Sequence, residues 1–276
     1  MYQISISAEE IGALPLASFQ GKIVVVDELD DSFDYAIRYL GKQKVLGFDT
    51  ETRPTFSPGH RQYPTALIQL SGPDKAFLFR INKIGMPGRL CSILANPDIL
   101  KVGAATGGDV VGLYHRAGFH AAGFVDLQKM VWEWGIRDKA VKKMAAIILG
   151  VKISKAMQLS NWEAEELSDA QKLYAATDAW ICREMYLKLI KEEKHPLTLE
   201  QQDPIHFAAM QAKAARIKAE EERIQALREK KRAAKAARMA ADQARREAAA
   251  QNNTKRKRRR KKRRRKASST DGENIS

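Results

Sequence analysis

Val45-Leu46-Gly47-Phe48-Asp49-Thr50-Glu51-Thr52 reads as a β-strand, an apolar run of strand length after the polar Lys42-Gln43-Lys44. Alternate residues of a strand share a face, so Asp49 and Glu51 project together while Phe48 and Thr50 point the other way. Two like charges side by side disfavour each other's ionised form, and a chain tolerates them chiefly when a cation lies between them. Oxygen ligands of this kind suit Mg2+ or Mn2+. The alternative is a strand end that dips into solvent and carries no function.

Working outward, Lys22 to Val26 reads as a strand, and Asp30 or Asp31 caps a helix with Phe33, Ile37 and Leu40 on its apolar stripe, ended by Gly41. Residues 1–20 form a mildly apolar N-terminal extension whose pattern assigns it no structure. Downstream, a polar loop runs through Tyr63-Pro64, Ala66 to Leu70 reads as a strand, Ser71-Gly72-Pro73-Asp74 as a turn, and Ala76 to Ile81 as another strand. Three strands joined by short loops form an antiparallel meander.

The pattern then alternates: a helix at Leu90–Leu94, a strand at Ile99–Ala104, a helix from Gly108-Asp109 to Arg116, a short strand at Phe124-Val125 passing into a helix with Met130, Trp132 and Trp134, and a helix at Val141–Leu149. Ser168-Asp169-Ala170-Gln171 is a capping box opening a helix that runs to about Glu193 before His195-Pro196. This is an α/β pattern, a mixed sheet flanked by helices with a ribonuclease-H-like layout.

Charge divides the chain. Residues 1–200 hold 24 basic and 24 acidic residues, whereas residues 201–276 hold 24 basic and 9 acidic, the whole of the net +15. A neutral globular domain with a strongly basic appendage points to a polyanionic partner, foremost nucleic acid. Two cysteines, Cys91 and Cys182, lie in apolar helical patterns and read as buried thiols of a reducing compartment, which means cytoplasmic, or nuclear in a eukaryote. No apolar run reaches 18 residues and no secretion signal opens the chain, so no membrane partner is expected.

Two further acids stand out. Asp109 follows Gly107-Gly108 at a helix start, where it either serves chemistry or favours the helix dipole. Asp178 sits in Tyr174-Ala175-Ala176-Thr177-Asp178-Ala179-Trp180, one helical turn after Tyr174, and an acid among Ala and Trp needs a partner. That partner is either a neighbouring backbone group, Arg183, or a metal. Gly103, Gly107 and Gly108 match neither a dinucleotide nor a Walker fingerprint. His60, His115, His120, His195 and His206 show no ligand or triad spacing, and no nucleophile elbow is present.

Phe48-Asp49-Thr50-Glu51-Thr52, then Lys101-Val102-Gly103…Gly108-Asp109…Leu113, then Tyr174-Ala175-Ala176-Thr177-Asp178-Ala179 resemble the three motifs of the DEDD 3′–5′ exonucleases. Tyr174, four residues before Asp178, marks the DEDDy branch, since Leu173 stands where the DEDDh branch has its histidine. Leu159-Ser160-Asn161-Trp162…Leu167-Ser168-Asp169-Ala170-Gln171-Lys172-Leu173-Tyr174 is similar to the Werner-type exonuclease domain, with ribonuclease D more distant. The resemblance covers residues 21–195 as an exonuclease domain.

It implies hydrolysis of phosphodiester bonds at nucleic-acid 3′ ends, releasing nucleoside 5′-monophosphates, with two Mg2+ or Mn2+ ions about 4 Å apart. One ion would activate the attacking water and the other would stabilise the leaving oxygen. By the resemblance, Asp49 bridges both ions, Glu51 and Asp178 complete the site of the attacking water, Asp109 supports the second ion, and Tyr174 orients the water. Thr50, Arg53 and Lys155 are the expected substrate contacts, Arg53 and Lys155 with phosphates unless they are solvated surface charges. Trp162 would stack on a base or belong to the core. Accessory domains of the ribonuclease D kind or a helicase of the Werner kind are not expected in these residues, so DNA repair and RNA processing both stay open.

From about Ile205 to Gln251 the composition is that of strong helix formers, with no Gly or Pro after Pro204, so residues 196–251 read as a charged Ala-rich helical extension. Met210, Ile217 and Ile224 are seven apart, but Lys231 breaks the seam, which favours a lone charged helix over a coiled coil. Residues 252–276 read as a disordered polybasic tail with twelve consecutive Lys and Arg at 255–266. Such a run binds phosphates through counterion release, or else serves as a targeting signal. The competing class of function is a non-catalytic RNA- or ribosome-binding protein on an exonuclease-like fold. Unused clustered carboxylates would be a liability to it.

Overall fold

Six strands form a single mixed sheet in the order β1-β4-β3-β2-β5-β6. The computed structural model describes residues 1–55 and 63–267; residues 56–62, His60 among them, and 268–276, the end of the polybasic tail, lie outside the described residues. In chain order the elements are α1 (Ala8–Ala13), β1 (Lys22–Val26), α2 (Asp31–Leu40), β2 (Val45–Thr52), β3 (Thr65–Ser71), β4 (Lys75–Phe79), α3 (Ile81–Ile84), α4 (Gly88–Ala95), β5 (Leu100–Gly103), α5 (Thr106–Ala117), β6 (Phe124–Asp126) and α6 (Leu127–Met130). A 3-10 turn (Val131–Trp134) follows, then α7 (Val141–Leu149), α8 (Asp169–Leu189), α9 (Leu199–Gln202) and α10 (Pro204–Ala267).

The meander read from the sequence is present, with β2, β3 and β4 pairing antiparallel, while β1 runs parallel to β4 and β5 and β6 run parallel to β2. One face of the sheet packs under α2, α4 and α5 through Phe33, Leu40, Phe48, Ile68, Leu70, Phe77, Leu90, Leu94 and Leu113. The other lies under α7 and α8, where Val102 meets Met144, Ile148, Ile181 and Met185, and Leu67 and Leu78 meet Trp162 and Ala175. Each such Leu or Phe stabilises the fold by about 1.5–3 kcal/mol when fully buried. Cys182 is buried, Cys91 is partly so, and both are free thiols.

Several boundaries differ from the sequence reading. β4 stops at Phe79 because the chain turns at Arg80, whose guanidinium is buried and donates to the carbonyls of Ala164 and Glu165. Ile81 therefore opens a helical turn instead of ending a strand. Trp132 and Trp134 lie on the 3-10 turn and not on an α-helix. α8 ends at Leu189, since the chain beyond packs back on that turn, with Trp134 Nε1 donating to the Glu192 carbonyl at 3.1 Å.

Residues 1–20 are held in place. Ser7 and Glu10 form a capping box on α1, Ala17 N–H donates to the Lys152 carbonyl at 2.8 Å, and Phe19 N–H donates to Thr177 Oγ1 at 3.0 Å. Phe19 is buried against Ala76, Ala176 and Trp180.

The described residues from 205 onward form a second unit. α10 runs to Ala267, through the stretch from 252 that the sequence assigns to a disordered tail. Lys and Arg are good helix formers, and no Gly or Pro interrupts them there. No described helix is long and apolar enough to cross a membrane.

Candidate active site

β5 pairs with β2 only as far as Gly47 opposite Val102 and ends at Gly103, so Asp49 and Glu51 run on past its carboxyl end, where open α/β sheets place their ligands. Strand alternation turns Asp49 and Glu51 toward α8, which presents a face of small residues, Ala175, Ala176 and Ala179, all buried. Asp178 lies beside them on the same helix, and one carboxylate oxygen from each of Asp49, Glu51 and Asp178 falls within 4.8 Å of the other two. Two distant segments thus converge on one point.

Electrostatics mark the convergence as strained without a cation. Burial, then Asp178 and Asp109, hold the Asp49 carboxyl well above the usual range. Burial and the neighbouring acids push Glu51 up to about 9. Burial raises Asp178 to about 6, against the downward pull of its hydrogen bond from Tyr174 and of the Lys155 ammonium. The Tyr174 hydroxyl is raised too, by burial first and then by Asp178 and Glu51, so it stays protonated and donates. Arg183 is engaged elsewhere, donating to the Val45 carbonyl and pairing with Glu184 at 2.6 Å, so Tyr174 and not Arg183 partners Asp178.

Asp109 lies outside the 4.8 Å group. It enters from α5, accepts from Thr50 Oγ1 at 2.6 Å, and acts on Asp49 and Glu51 through its charge. Burial raises its own pKa, opposed by the Thr50 hydrogen bond. Thr50, expected at the substrate, therefore directs its hydroxyl to Asp109.

Of the two expected phosphate contacts, Lys155 is close enough to Asp178 to depress its pKa. Arg53 pairs with Glu163 at 3.5 Å and lies over the Tyr63 ring at 4.9 Å. Trp162 is fully buried, its ring 6.0 Å from that of Tyr174, and belongs to the core.

Sequence reasoning missed two neighbours of the site. Gln69 stands opposite Asp49 in the β2–β3 register, is fully buried, and has no partner for either amide atom among the described residues. Asp126 ends β6 and bonds the backbone just before α5. An Asp directly preceding a helix was the available signal for Asp126.

The donor set fits divalent cations. All its ligands are carboxylate oxygens, and the upward pKa shifts arise from burial first and then from mutual repulsion, which a bound cation offsets.

Residues 24–194 match the family model described as 3′-5′ exonuclease. Over 191 residues the chain is 33% identical to the mouse protein named bifunctional 3′-5′ exonuclease/ATP-dependent helicase WRN, a match covering 64% of this chain and 13% of that protein. It is 33% identical over 153 residues to exonuclease 3′-5′ domain-containing protein 2 of Drosophila melanogaster, covering 54% of this chain and 26% of that one. The chain thus spans about a quarter or less of the length of these relatives. The Nibbler EXO domain of Aedes aegypti superposes with a TM-score of 0.55 at 22% identity, covering 63% of this chain and 91% of that one. Escherichia coli RNase D does so with a TM-score of 0.55 at 23% identity, covering 62% of this chain and 44% of that one, and both likenesses are of fold. With the motifs, the sheet and the family match in agreement, the chain belongs to the DEDD-type, RNase D-like 3′–5′ exonuclease family.

Proposed function

We propose that this protein is a divalent-metal-dependent hydrolase that shortens nucleic acid from its 3′ end and releases nucleoside 5′-monophosphates. The observation that carries the reading is the convergence of Asp49, Glu51 and Asp178 within 4.8 Å, with pKa values raised. Asp49, Glu51 and Asp178 would hold the ions, with Asp109 serving the second of a pair. Mg2+ or Mn2+ supplies Lewis acidity toward the scissile phosphate and its attacking water when bound.

The protein's own groups do the rest. Tyr174 keeps its proton and donates to Asp178, so its hydroxyl aligns the attacking water and is not the base that deprotonates it. Thr50 holds the Asp109 carboxylate through its hydroxyl. Lys155, beside Asp178, offers a cation to a substrate phosphate, and Arg53 lies at the end of β2 in reach of the strand that leaves the site. α10 carries the basic run at 255–266, which adds sequence-independent affinity for polyphosphate.

The test is incubation of 5′-labelled RNA and DNA oligonucleotides with Mg2+ or Mn2+. The expected result is a ladder shortening from the 3′ end with mononucleotide product, abolished by chelation and by Asp178→Asn. Identical digestion by that variant would remove the site from consideration. Relative rates on the two substrates separate RNA trimming from DNA processing.

A further inference from the structure

Among the described residues, Ala105 is the one non-glycine with positive φ, at φ 61° and ψ 29°. A side chain with a Cβ holds this left-handed conformation only when its surroundings over-determine it. Ala105 is the N-cap of α5, and no side chain of its own caps that helix.

The restraint comes from Asp126. Its Oδ1 accepts from Ala105 N–H at 2.9 Å and from Gln128 N–H at 3.0 Å, so one oxygen ties the entry of α5 to the start of α6. The Asp126 side chain is 8% exposed, and its Oδ2 lies 3.8 Å from Lys129 Nζ. Register places Asp126 beside Gly103, the last residue of β5. There the chain passes tight under β2, since a Cβ on Gly103 would meet the Phe48 carbonyl oxygen at 2.7 Å. Only Ala104 and Ala105 remain to turn the backbone before α5 begins.

Asp109 is the fourth residue of α5, so the direction of the first helical turn sets where its carboxylate arrives. We infer that Asp126 is a positioning residue for Asp109, clamping Ala105 in the left-handed region so that α5 delivers Asp109 to Thr50 and the acid cluster. This rests on the assignment of Asp109 to metal binding. Without the Asp126 acceptor, Ala105 relaxes toward right-handed geometry, the first turn of α5 re-registers, and Asp109 leaves its place.

The experiment combines hydrogen exchange of the metal-free protein with calorimetric Mn2+ titration. Asp126→Ala should reduce protection of amide 105, and of amides 109–112 that close the first turn of α5, at least tenfold while leaving β1 and α2 unchanged. It should also weaken Mn2+ binding about tenfold or more. Asp126→Asn keeps an acceptor oxygen and should restore protection. Ala105→Gly removes the Cβ penalty, so combined with Asp126→Ala it should recover a threefold or greater part of the lost affinity, which general destabilisation would not produce.

Unchanged protection in Asp126→Ala overturns the clamp. Lost protection with unchanged Mn2+ affinity and turnover overturns the positioning role. Wild-type protein that binds Mn2+ yet shortens no oligonucleotide defeats the functional reading, while the exchange and titration arms still decide the clamp.

Discussion

Gly47 of β2 lies directly beneath Ala179 of α8, and a Cβ on Gly47 would meet the Ala179 carbonyl oxygen at 1.8 Å and its carbonyl carbon at 2.5 Å. Asp49 is two residues after Gly47 and Asp178 is one before Ala179, so this contact sets the gap between the two carboxylates. Gly47→Ala must push the helix off the sheet. Overpacking of this kind costs about 1–3 kcal/mol, and turnover should fall by two orders of magnitude or more. Urea unfolding and an exonuclease assay measure the two effects, and wild-type turnover would show that the spacing is not critical.

The raised carboxyls set a pH dependence for the metal-free protein. Glu51, pushed up to about 9, and Asp178, pushed up to about 6, hold protons in the folded state that the unfolded chain has released. Stability from these groups is fully present below their ordinary values near 4 and is lost as pH rises through the folded values. The melting temperature without metal should therefore decline between pH 5 and pH 9. Saturating Mn2+ should remove much of that slope, because it binds the deprotonated acids and displaces their protons. A metal-free melt that is flat over this range would contradict the electrostatic account.

Asp49→Asn should uncouple stability from activity. It relieves repulsion on Glu51, which feels Asp49 as the strongest of its acidic neighbours. Each pKa unit of relief corresponds to about 1.4 kcal/mol, and each kcal/mol to roughly 2–4 °C for a domain of this size. The metal-free variant at pH 8 should melt higher than wild type and be inactive. A lower melting temperature would argue that Asp49 makes a structural contact.

Tyr174→Phe removes the hydroxyl that donates to Asp178 while keeping the ring against Trp162. We expect kcat to drop roughly 10–100-fold, the loss of one hydrogen bond to a charged group worth about 1.5–3 kcal/mol, with KM little changed. Equal losses in both parameters, or none, would exclude the alignment role.

Deletion of residues 252–276 removes the twelve basic residues at 255–266. Binding of single-stranded oligonucleotide should weaken, and the slope of log Kd against log salt should flatten by about 0.7 for each lost phosphate contact. Binding measured at several salt concentrations decides this, and an unchanged slope would assign the run to another task.

Much of the site was legible because strand alternation and helical periodicity are local rules. Asp49 with Glu51, and Tyr174 with Asp178, follow from spacing alone, and Ser168 with Gln171 announced the helix that carries the second pair. Ser7 and Glu10 carry the same capping signal, but without an apolar run behind them the short α1 stayed hidden. Arg80 was illegible because its turn depends on carbonyls 84 and 85 residues away. Ala105 gave no sign of its left-handed backbone, since glycine or asparagine is the usual mark of that state, and the restraint comes from Asp126 on another strand. Gln69 looked like any polar residue in an apolar strand until the register placed it opposite Asp49.

The family match begins at residue 24, but the folded unit does not. Phe19 covers Ala176 and Trp180 and donates to Thr177, all on the helix that presents Tyr174 and Asp178. A recombinant version trimmed to the homologous span would strip this cover and expose an oily seam along the back of that helix. Cloning boundaries drawn from similarity alone would thus yield a destabilised protein whose weakness mimics a defect at the acid cluster.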